Sequence, residues 1–309
     1  MKIDAVVVTY NRKELLVECI EAILNQIYKV DKVFLIDNAS TDGTYDELKN
    51  RGILDSKIII YKRLEENIGG AGGFYEGIKE ARKDNADWIW IMDDDTIPKE
   101  DCLKNFIDAL SIINGKVSFL ASAVYGIDNE CMNTTEISEF KGKNGIFQWH
   151  EYIKDGIVGI DVATFVSILI NGDATKKIGL PYKDYFIWGD DSEYTLRLTR
   201  KYGRAYLVGK SIAIHKRTGS KSLSIFEETN MNRIKFYYYM VRNNYINTKT
   251  YYSKKAKIMF YIKWKKIVVK LLFSNSKYKF YKIKLINKGL RDAIFKKYNY
   301  KDFKNRENS

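Results

Sequence analysis

The sequence contains little proline, histidine or cysteine. Among its 309 residues are two prolines, two histidines and three cysteines. Cys19, Cys102 and Cys131 lie far apart and form no CxxC pair, which excludes a disulfide framework and a cysteine-based zinc site and favours a reducing compartment. The first residues, MKIDAVVVTYNRKE, contain a short apolar run that breaks after a few residues, which is neither a secretory signal peptide nor long enough to span a membrane. We therefore expect a cytoplasmic protein.

The overall composition is that of a globular protein, because 45% of the residues are hydrophobic and 29% are charged. The charge is nevertheless divided unevenly. Residues 225–309 carry 22 lysines and arginines against five acids, a net charge of +17, whereas the total is +13 and residues 1–224 are therefore at −4. A basic region can bind nucleic acid or an anionic membrane, and net charge alone does not decide between them. We predict a catalytic domain in residues 1–224 and a basic, aromatic-rich helical extension in residues 225–309.

The acidic region alternates between short apolar runs and segments with helical spacing. Ile3–Val8 is a valine-rich run typical of a strand buried on both faces, and Lys13–Gln26 has the apolar spacing of a helix. Repetition of this pattern predicts an α/β fold with a mostly parallel, Rossmann-like sheet flanked by helices. Further strands are predicted at Lys32–Ile36, Lys57–Tyr61, Asp87–Met92, Val117–Tyr125, Asp161–Ile170, Arg204–Val208 and Ser211–Ile214, and further helices from about Thr44, after Gly73, after Pro98 and at Asp191–Tyr202.

Three consecutive aspartates, Asp93, Asp94 and Asp95, follow one of the predicted strands. Ligands of parallel sheets bind beyond the carboxyl ends of the strands. Neighbouring carboxylates repel one another unless a cation compensates, and their oxygens suit a hard divalent ion such as Mg²⁺ or Mn²⁺, which can also bind a diphosphate. The alternative is a solvated acidic turn that caps the next helix.

A glycine-rich segment, Asn67–Phe74, follows the third predicted strand. Glycines at a helix start let the backbone approach a ligand and leave amide donors for an anion. The dinucleotide motif GxGxxG follows the first strand instead, where this chain has Thr9-Tyr10-Asn11-Arg12, so NAD binding is disfavoured. A purely structural glycine turn remains an alternative.

Asp190, Asp191 and Glu193 stand together at the start of a predicted helix. Acids there compensate the helix dipole, but one of a pair of carboxylates can also act as a general base towards an alcohol. His215, one of two histidines, ends the apolar run of residues 211–214. It is either a structural residue or a metal ligand.

In their order along the chain, these motifs resemble those of family 2 inverting glycosyltransferases with the GT-A fold. The resemblance covers about residues 3–217, and within the family it is strongest to bacterial galactofuranosyltransferases and rhamnosyltransferases. The motifs that carry it are Val6-Val7-Val8-Thr9-Tyr10-Asn11-Arg12, Asp37-Asn38-Ala39-Ser40-Thr41-Asp42-Gly43-Thr44, Asn67-Ile68-Gly69-Gly70-Ala71-Gly72-Gly73-Phe74, Asp93-Asp94-Asp95, Gly189-Asp190-Asp191 and His215.

The resemblance implies roles for individual residues. It makes Asp191 the catalytic base. It places Asp93 and Asp95 on the metal ion, joined by His215 as in galactofuranosyl members of the family. The residues that it assigns to the donor nucleotide are Thr9, Tyr10, Arg12, Asp37, Asn67, Gly69, Gly70 and Asp94.

The implied reaction moves a sugar from a nucleotide-diphosphate donor to a hydroxyl of a cell-surface glycan or lipid-linked glycan precursor, with Mn²⁺ or Mg²⁺ as cofactor. UDP-galactofuranose is the favoured donor and dTDP-rhamnose the next. A basic nucleic-acid-binding protein is the rival from another class, but it leaves the acidic cluster unexplained. An inactive scaffold is a third possibility. We expect no nucleic-acid partner.

The basic region contains one segment with the composition of an interfacial helix. Residues 254–273, KKAKIMFYIKWKKIVVKLLF, interleave lysines with large apolar residues and hold no run of 18 uncharged residues. Such a segment suits an anionic membrane surface, on the inner face of the cell membrane, rather than a bilayer span. A helix packed on the catalytic domain with solvated lysines is the alternative.

Overall fold

The computed structural model describes residues 1–133, 135–217 and 224–296. These residues form two compact units. Among the described residues, the first unit comprises 1–133, 135–183 and 194–217, and the second comprises 184–193 and 224–296. A ten-residue segment of the acidic region therefore belongs with the basic region, an arrangement that composition does not reveal.

The first unit is built on one twisted sheet flanked by helices. Its strands are β1 (Ile3–Thr9), β2 (Lys32–Asp37), β3 (Ile59–Arg63), β4 (Trp88–Asp93), β5 (Thr96–Pro98), β6 (Val117–Tyr125), β7 (Cys131–Met132), β8 (Glu136–Ile137), β9 (Ile157–Val162), β10 (Ile168–Asn171) and β11 (Arg204–His215). The order is β3-β2-β1-β4-β10-β6-β11-β9-β8, with β5 paired to β11 and β7 to β6. The strands β3, β2, β1 and β4 are mutually parallel, as are β6 and β11, and β10 lies antiparallel between β4 and β6.

The helices that follow these strands are α1 (Lys13–Leu24), α2 (Thr44–Asn50), α3 (Gly69–Lys83), α4 (Cys102–Ile112), α5 (Gly172–Ile178) and α6 (Asp190–Lys201). The first four residues of α6, 190–193, belong to the second unit. Side chains of β1 alternate between two hydrophobic clusters. Ala5 and Val7 join the cluster that contains the buried face of α1, and Val6 and Val8 join the cluster that contains Phe74 of α3. The sheet is thus covered on both faces, as the apolar run of β1 predicts.

Helix α3 begins at Gly69, and the prediction that a helix starts after Gly73 is wrong. Gly69 has a φ of 78°, which glycine adopts readily, and the following glycines already belong to the helix. A Cβ atom on Gly73 would lie 2.4 Å from Cγ1 of Val8. The glycines therefore let α3 pack closely on β1.

Two strand predictions are also wrong. The run Asp161–Ile170 contains the end of β9 and the start of β10, with a loop between them. The apolar side chains of this loop are buried although its backbone is not a strand. The loop ends at Ser167, whose φ is 56°. The two strands predicted at 204–208 and 211–214 are one strand, β11, because its pairing with β6 shifts register between Val208 and Ile212 and continues.

The basic part of the second unit is helical, as predicted, with α7 (Met231–Tyr251), α8 (Lys254–Leu272) and α9 (Lys279–Phe295). Asn230 caps α7 and Ser253 caps α8, each accepting hydrogen bonds from backbone amides in the first turn. Across the described ranges 1–133, 135–217 and 224–296, no helix combines the length and the hydropathy needed to cross a bilayer.

Candidate active site

The carboxyl ends of β1, β2 and β4 meet at one edge of the sheet in the first unit. Thr9 pairs with Asp37, and Val8 pairs with Asp93. Because the three strands are parallel, the residues that follow them emerge side by side. This register brings the predicted motifs of the first unit together.

Asp94 is held by residues that follow β1. It is 3% exposed. Its Oδ2 accepts hydrogen bonds from Oγ1 of Thr9 at 2.8 Å and from the backbone amide of Tyr10 at 3.4 Å. Nη1 of Arg12 lies 3.2 Å from Oδ1 of Asp94 and 2.7 Å from Oδ2 of Asp95. One half-exposed guanidinium therefore balances two buried carboxylates.

Backbone pairing brings His215 to Asp95. The short strand β5, which begins one residue after Asp95, runs antiparallel to the end of β11, so that Thr96 pairs with His215. The amide of Lys216 donates to the carbonyl of Asp95 at 2.8 Å. As a result, Nε2 of His215 lies 3.2 Å from Oδ1 of Asp95.

The chemistry of this pair fits a divalent cation. Nδ1 of His215 lies 2.8 Å from Oδ1 of Asn133, and in the neutral tautomer that donates this hydrogen bond Nε2 presents a lone pair towards Asp95. Oδ1 of Asp95 is buried and has no hydrogen-bond partner among the described residues. Two electron-pair donors facing each other at 3.2 Å call for a positive charge between them, and imidazole with carboxylate is a donor set that Mn²⁺ accepts.

The third predicted ligand, Asp93, lies at the end of β4, two residues before Asp95. In the part of the chain that the structure describes, no three histidine, cysteine, aspartate or glutamate side chains are arranged to hold a metal ion. The structure therefore brings Asp95 and His215 together, whereas Asp93 as a ligand stays a prediction.

The two buried aspartates have opposite pKa shifts. Burial, reinforced by the charge of Asp95, raises the pKa of Asp94 to about 6 against the opposing effect of Arg12. Burial also acts to raise the pKa of Asp95, but the hydrogen bond and positive charge of a His215 ring protonated at Nε2, together with Arg12, outweigh it and the pKa is lowered. A metal ion would take the place of that proton. Asp95 is thus held as the anion that a cation requires.

Asp37 is anchored within its own part of the site. It is buried, and its Oδ1 accepts from the amide of Ser40 at 2.8 Å. The hydroxyl of Tyr61 donates to its Oδ2 at 2.5 Å, and burial together with this bond raises the pKa of Tyr61. Nε of Arg63 lies 3.9 Å from the same carboxylate. The carboxylate of Asp37 is therefore held in a fixed position at the end of β2.

At the start of α3, the backbone of the glycine segment forms hydrogen bonds with the side chains of Asn67 and Asn38. Oδ1 of Asn67 accepts from the amide of Gly69 at 2.8 Å. Asn38 donates to the carbonyl of Gly69 at 2.9 Å and accepts from the amide of Ile68 at 2.9 Å. A Cβ atom on Gly70 would meet nothing within 4 Å, so Gly70 faces open space.

Asp190 and Asp191 lie in the second unit. Burial, with the neighbouring charge of Asp191, raises the pKa of Asp190 to about 8. Burial likewise raises the pKa of Asp191, opposed by hydrogen bonds from Ser192, whose amide donates to Oδ1 of Asp191 at 2.7 Å. Just before them the backbone is strained, because Phe186 and Trp188 have φ values of 64° and 60°. Left-handed conformations of non-glycine residues cost about 1–3 kcal/mol each.

Two contributing residues were missed from the sequence. Asn38 belongs to a motif that was recognised, yet its bonds to the glycine segment were not foreseen. Asn133 orients the ring of His215 from 82 positions away along the chain. No local pattern marks Asn133, since only its place in the fold gives it a role.

Comparison with known proteins identifies the family of the chain. The model of the family "Glycosyl transferase family 2" matches residues 4–159. The chain belongs to this family. Its relatives include the galactofuranosyltransferase GlfT1 of Mycolicibacterium smegmatis, which is 28% identical over 207 residues, or 63% of this chain and 65% of the relative. The dTDP-rhamnosyl transferase RfbG of Shigella flexneri is 33% identical over 107 residues, or 34% of this chain and 37% of the relative. The family 2 chain thus spans less than two thirds of either relative.

A solved structure confirms the predicted fold. The mannosyltransferase PcManGT from Pyrobaculum calidifontis, in complex with GDP-Man and Mn²⁺, superimposes with a TM-score of 0.55 at 13% identity. The superposition covers 96% of this chain and 88% of that one. The GT-A fold with a central, largely parallel sheet and a helical extension is therefore confirmed.

Proposed function

We propose that this family 2 chain is a metal-dependent inverting glycosyltransferase. It would move a sugar from a nucleotide-diphosphate donor to a hydroxyl of a glycan or lipid-linked glycan precursor of the cell surface. The observation that carries the proposal is the pair formed by Oδ1 of Asp95 and Nε2 of His215, 3.2 Å apart at the carboxyl edge of the sheet. A buried carboxylate oxygen without a hydrogen-bond partner among the described residues, beside an imidazole lone pair, is suited to bind a cation.

Mn²⁺ or Mg²⁺, when bound, would neutralise the negative charge of the departing diphosphate. Asp95 and His215 would hold the ion, with Asp93 as the further predicted ligand. Thr9, Tyr10 and Arg12 keep Asp94 in place next to Asp95. The proposed contacts to the donor nucleotide come from Thr9, Tyr10, Arg12, Asp37, Asn67, Gly69, Gly70 and Asp94.

Asp191 is the proposed general base. Its raised pKa increases its affinity for a proton, which suits a group that accepts one from an attacking hydroxyl. Attack by that hydroxyl on the anomeric carbon forms the new glycosidic bond while the bond to the diphosphate breaks. A single displacement of this kind inverts the anomeric configuration.

The relatives named as galactofuranosyl and dTDP-rhamnosyl transferases support the proposed donors. We rank UDP-galactofuranose first, because the more extensive of the two matches is to the galactofuranosyltransferase. The His215–Asp95 pair also agrees with the histidine ligand that the galactofuranosyl branch implies.

The basic region is proposed to hold the enzyme on the inner face of the cell membrane. Helix α8 carries seven lysines and no acid. Ile258, Ile262 and Val269 fall on one face of α8 and are 56%, 39% and 53% exposed, and Phe273 after its end is 88% exposed. An exposed apolar face flanked by lysines matches an anionic lipid surface in both polarity and charge.

The first experiment is a nucleotide-binding titration. UDP and dTDP are titrated calorimetrically into the full chain with and without Mn²⁺. We expect Mn²⁺ to tighten binding of one nucleotide, and Asp95→Ala to weaken this Mn²⁺-dependent binding by at least about tenfold, the lower range for disturbing a metal site. Asp108→Ala, at an exposed aspartate of α4, is the matched control.

Equal Mn²⁺-dependent affinity in Asp95→Ala and the parent would remove the metal assignment. A salt-sensitive complex with an oligonucleotide, without Mn²⁺-dependent nucleotide binding, would favour the nucleic-acid alternative. Release of UDP or dTDP from the corresponding nucleotide sugar, assayed with a glycan acceptor, then identifies the donor.

A further inference from the structure

One face of α7 lies against the segment that leads into Asp190 within the second unit. Asn243, Asn247 and Tyr251 follow one another at intervals of four residues, so they project from the same face of the helix. Asn243 is 0% exposed and Asn247 is 4% exposed. Side chains of this polarity need hydrogen-bond partners when they are buried, and here the partners belong to residues 185–193.

Asn243 binds the backbone of the strained segment. Its Nδ2 lies 3.0, 3.1 and 2.7 Å from the carbonyl oxygens of Tyr185, Ile187 and Trp188. Its Oδ1 accepts from Nε of Arg242 at 2.8 Å, which fixes the orientation of the amide. The two hydrogens of Nδ2 are thus shared among three carbonyls that a left-handed backbone turns towards the helix.

Asn247 and Tyr251 continue the same row of contacts. Nδ2 of Asn247 donates to the carbonyl of Gly189 at 2.8 Å, and its Oδ1 accepts from the hydroxyl of Tyr185 at 2.7 Å. The hydroxyl of Tyr251 donates to Oε1 of Glu193 at 2.6 Å. The bonds from α7 therefore flank Asp190 and Asp191 on both sides.

Gly189 makes this approach possible. A Cβ atom on Gly189 would lie 3.1 Å from Cβ of Asn243, and its φ is 94°. Only glycine combines this conformation with the close contact at little cost. The glycine before the acid pair thus serves the contact with α7.

We propose that Asn243 and Asn247 are positioning residues for the catalytic base. They hold residues 185–189 in one conformation, and thereby set the direction in which the carboxylate of Asp191 points at the start of α6. The proposal rests on the role of Asp191 given under the proposed function. It makes α7 part of the catalytic apparatus, although the helix belongs to the basic region.

The test is a double-mutant cycle on turnover. Asn247→Leu and Asn243→Leu are each made in the parent and in Asp191→Asn, with Thr250→Leu as the control, because Thr250 is exposed and its hydroxyl donates to the carbonyl of Ile246 in its own helix. A misplaced catalytic group costs about 10²-fold, so we expect kcat to fall by about 10²-fold in the parent. In Asp191→Asn the same substitutions should lower kcat by less than about twofold, because a group acting through Asp191 has nothing left to position. KM for the donor and Mn²⁺-dependent binding of UDP should stay within about twofold.

Circular dichroism and thermal melting establish that each variant is folded. If Asn247→Leu does not fold, the weaker change Asn247→Ser is carried through the same cycle. Equal losses in the parent and in Asp191→Asn would show a merely structural role and overturn the proposal. Full turnover in Asp191→Asn by itself would instead contradict the assignment of the base, so the two failures can be told apart.

Discussion

At the scale of single residues, Asp4 stands out as a carboxyl group within the apolar strand β1. It is fully buried, and neither of its oxygens has a hydrogen-bond partner among the described residues. Burial, with the nearby charge of Asp84, raises its pKa to about 7. Asp84 has the opposite shift, because Lys2 and Lys32 outweigh its burial and lower its pKa. Asp4 is thus the member of the pair that holds its proton up to about pH 7.

Asp4 should make stability depend on pH. The unfolded chain loses this proton near pH 4, whereas the folded chain retains it to about pH 7. The free energy of unfolding therefore falls as the pH rises from about 4 to about 7, and this contribution changes little at higher pH. Asp4→Asn imitates the protonated form. We expect it to stabilise the protein at pH 8 by on the order of 2–4 kcal/mol more than at pH 4. Urea unfolding at both pH values measures the difference.

The control for this measurement is Asp108→Asn, on the exposed face of α4. A gain from Asp4→Asn that is equal at pH 4 and pH 8 would contradict the assigned titration. Asp4 lies near the start of β1, at the opposite end of the strand from Thr9 and the candidate site. The measurement is therefore one of stability alone.

A second prediction at this scale concerns Asp191. Loss of a general base typically lowers the rate by about 10² to 10⁴, so Asp191→Asn should lose turnover to that extent. Mn²⁺-dependent UDP binding, measured by calorimetry, should be retained because the amide has nearly the same shape. Turnover within about threefold of the parent would exclude Asp191 as the base.

The residues that could be predicted are those at the carboxyl ends of strands or directly after them. Parallel strands end at one edge, so Thr9, Asp37 and Asp94 are recognisable from the runs before them. The partner of His215 could not be predicted in this way. Asn133 reaches the histidine through the fold, and its own surroundings in the sequence are those of an ordinary loop.

At the scale of secondary structure elements, periodicity succeeded where burial follows the regular pattern. The strands β1, β2 and β4 and the helix α1 are predicted to within about three residues, because each is one apolar run or one apolar face. The strand prediction for residues 161–170 failed because residues 163–167 are a loop whose own apolar side chains are buried. It also missed β5, which has three residues and ends in a proline, although β5 brings His215 to Asp95.

The contact of α3 with β1 leads to a prediction about Gly77. A Cβ atom there would lie 2.2 Å from Cγ1 of Val6 and 3.2 Å from Cγ1 of Ile36. Overpacking of this kind costs about 1–3 kcal/mol, and alanine recovers at most about 1 kcal/mol through helix propensity. We expect Gly77→Ala to destabilise the protein in urea unfolding, and Val6→Ala to relieve part of the loss when the two are combined.

Gly70→Ala is the matched comparison on the same helix, because nothing lies within 4 Å of its Cβ position. It should be neutral or stabilising by up to about 1 kcal/mol. If both substitutions have the same effect on unfolding, close packing does not explain the glycine at position 77.

At the scale of the whole molecule, the division of charge suggests a division of tasks. The acidic part carries the candidate nucleotide and metal residues, and the basic part carries α8 with its lysines and exposed apolar face. The segment 184–193 crosses this division, since it belongs with the basic region in the second unit. Composition can reveal two regions, but it cannot show that residues 184–193 of the acidic region belong to the second unit.

The membrane proposal can be tested by flotation with liposomes. The protein should float with vesicles that contain anionic lipid and stay behind with neutral ones. The double variant Ile262→Glu, Val269→Glu replaces two exposed apolar side chains with acids. Burial of each apolar side chain in the membrane surface would contribute about 1.5–3 kcal/mol to binding. We therefore expect the double variant to bind anionic vesicles about 10²-fold more weakly or worse. Turnover with a soluble acceptor should not change.

The matched control is Ile146→Glu, at an isoleucine that is 58% exposed in the first unit. Equal flotation of the double variant and the parent would contradict the proposal that α8 binds the membrane. Loss of flotation in the Ile146→Glu control would show that any added acid repels the vesicles.

The pairing of β5 with β11 determines how far Asp95 lies from His215. Thr96 and His215 form one rung of a backbone ladder, and the neighbouring amide of Lys216 binds the carbonyl of Asp95. The gap between carboxylate and imidazole is therefore determined by main-chain bonds that no substrate has to break. If Asp95 and His215 hold the proposed ion, their spacing would persist while one nucleotide leaves and the next one binds.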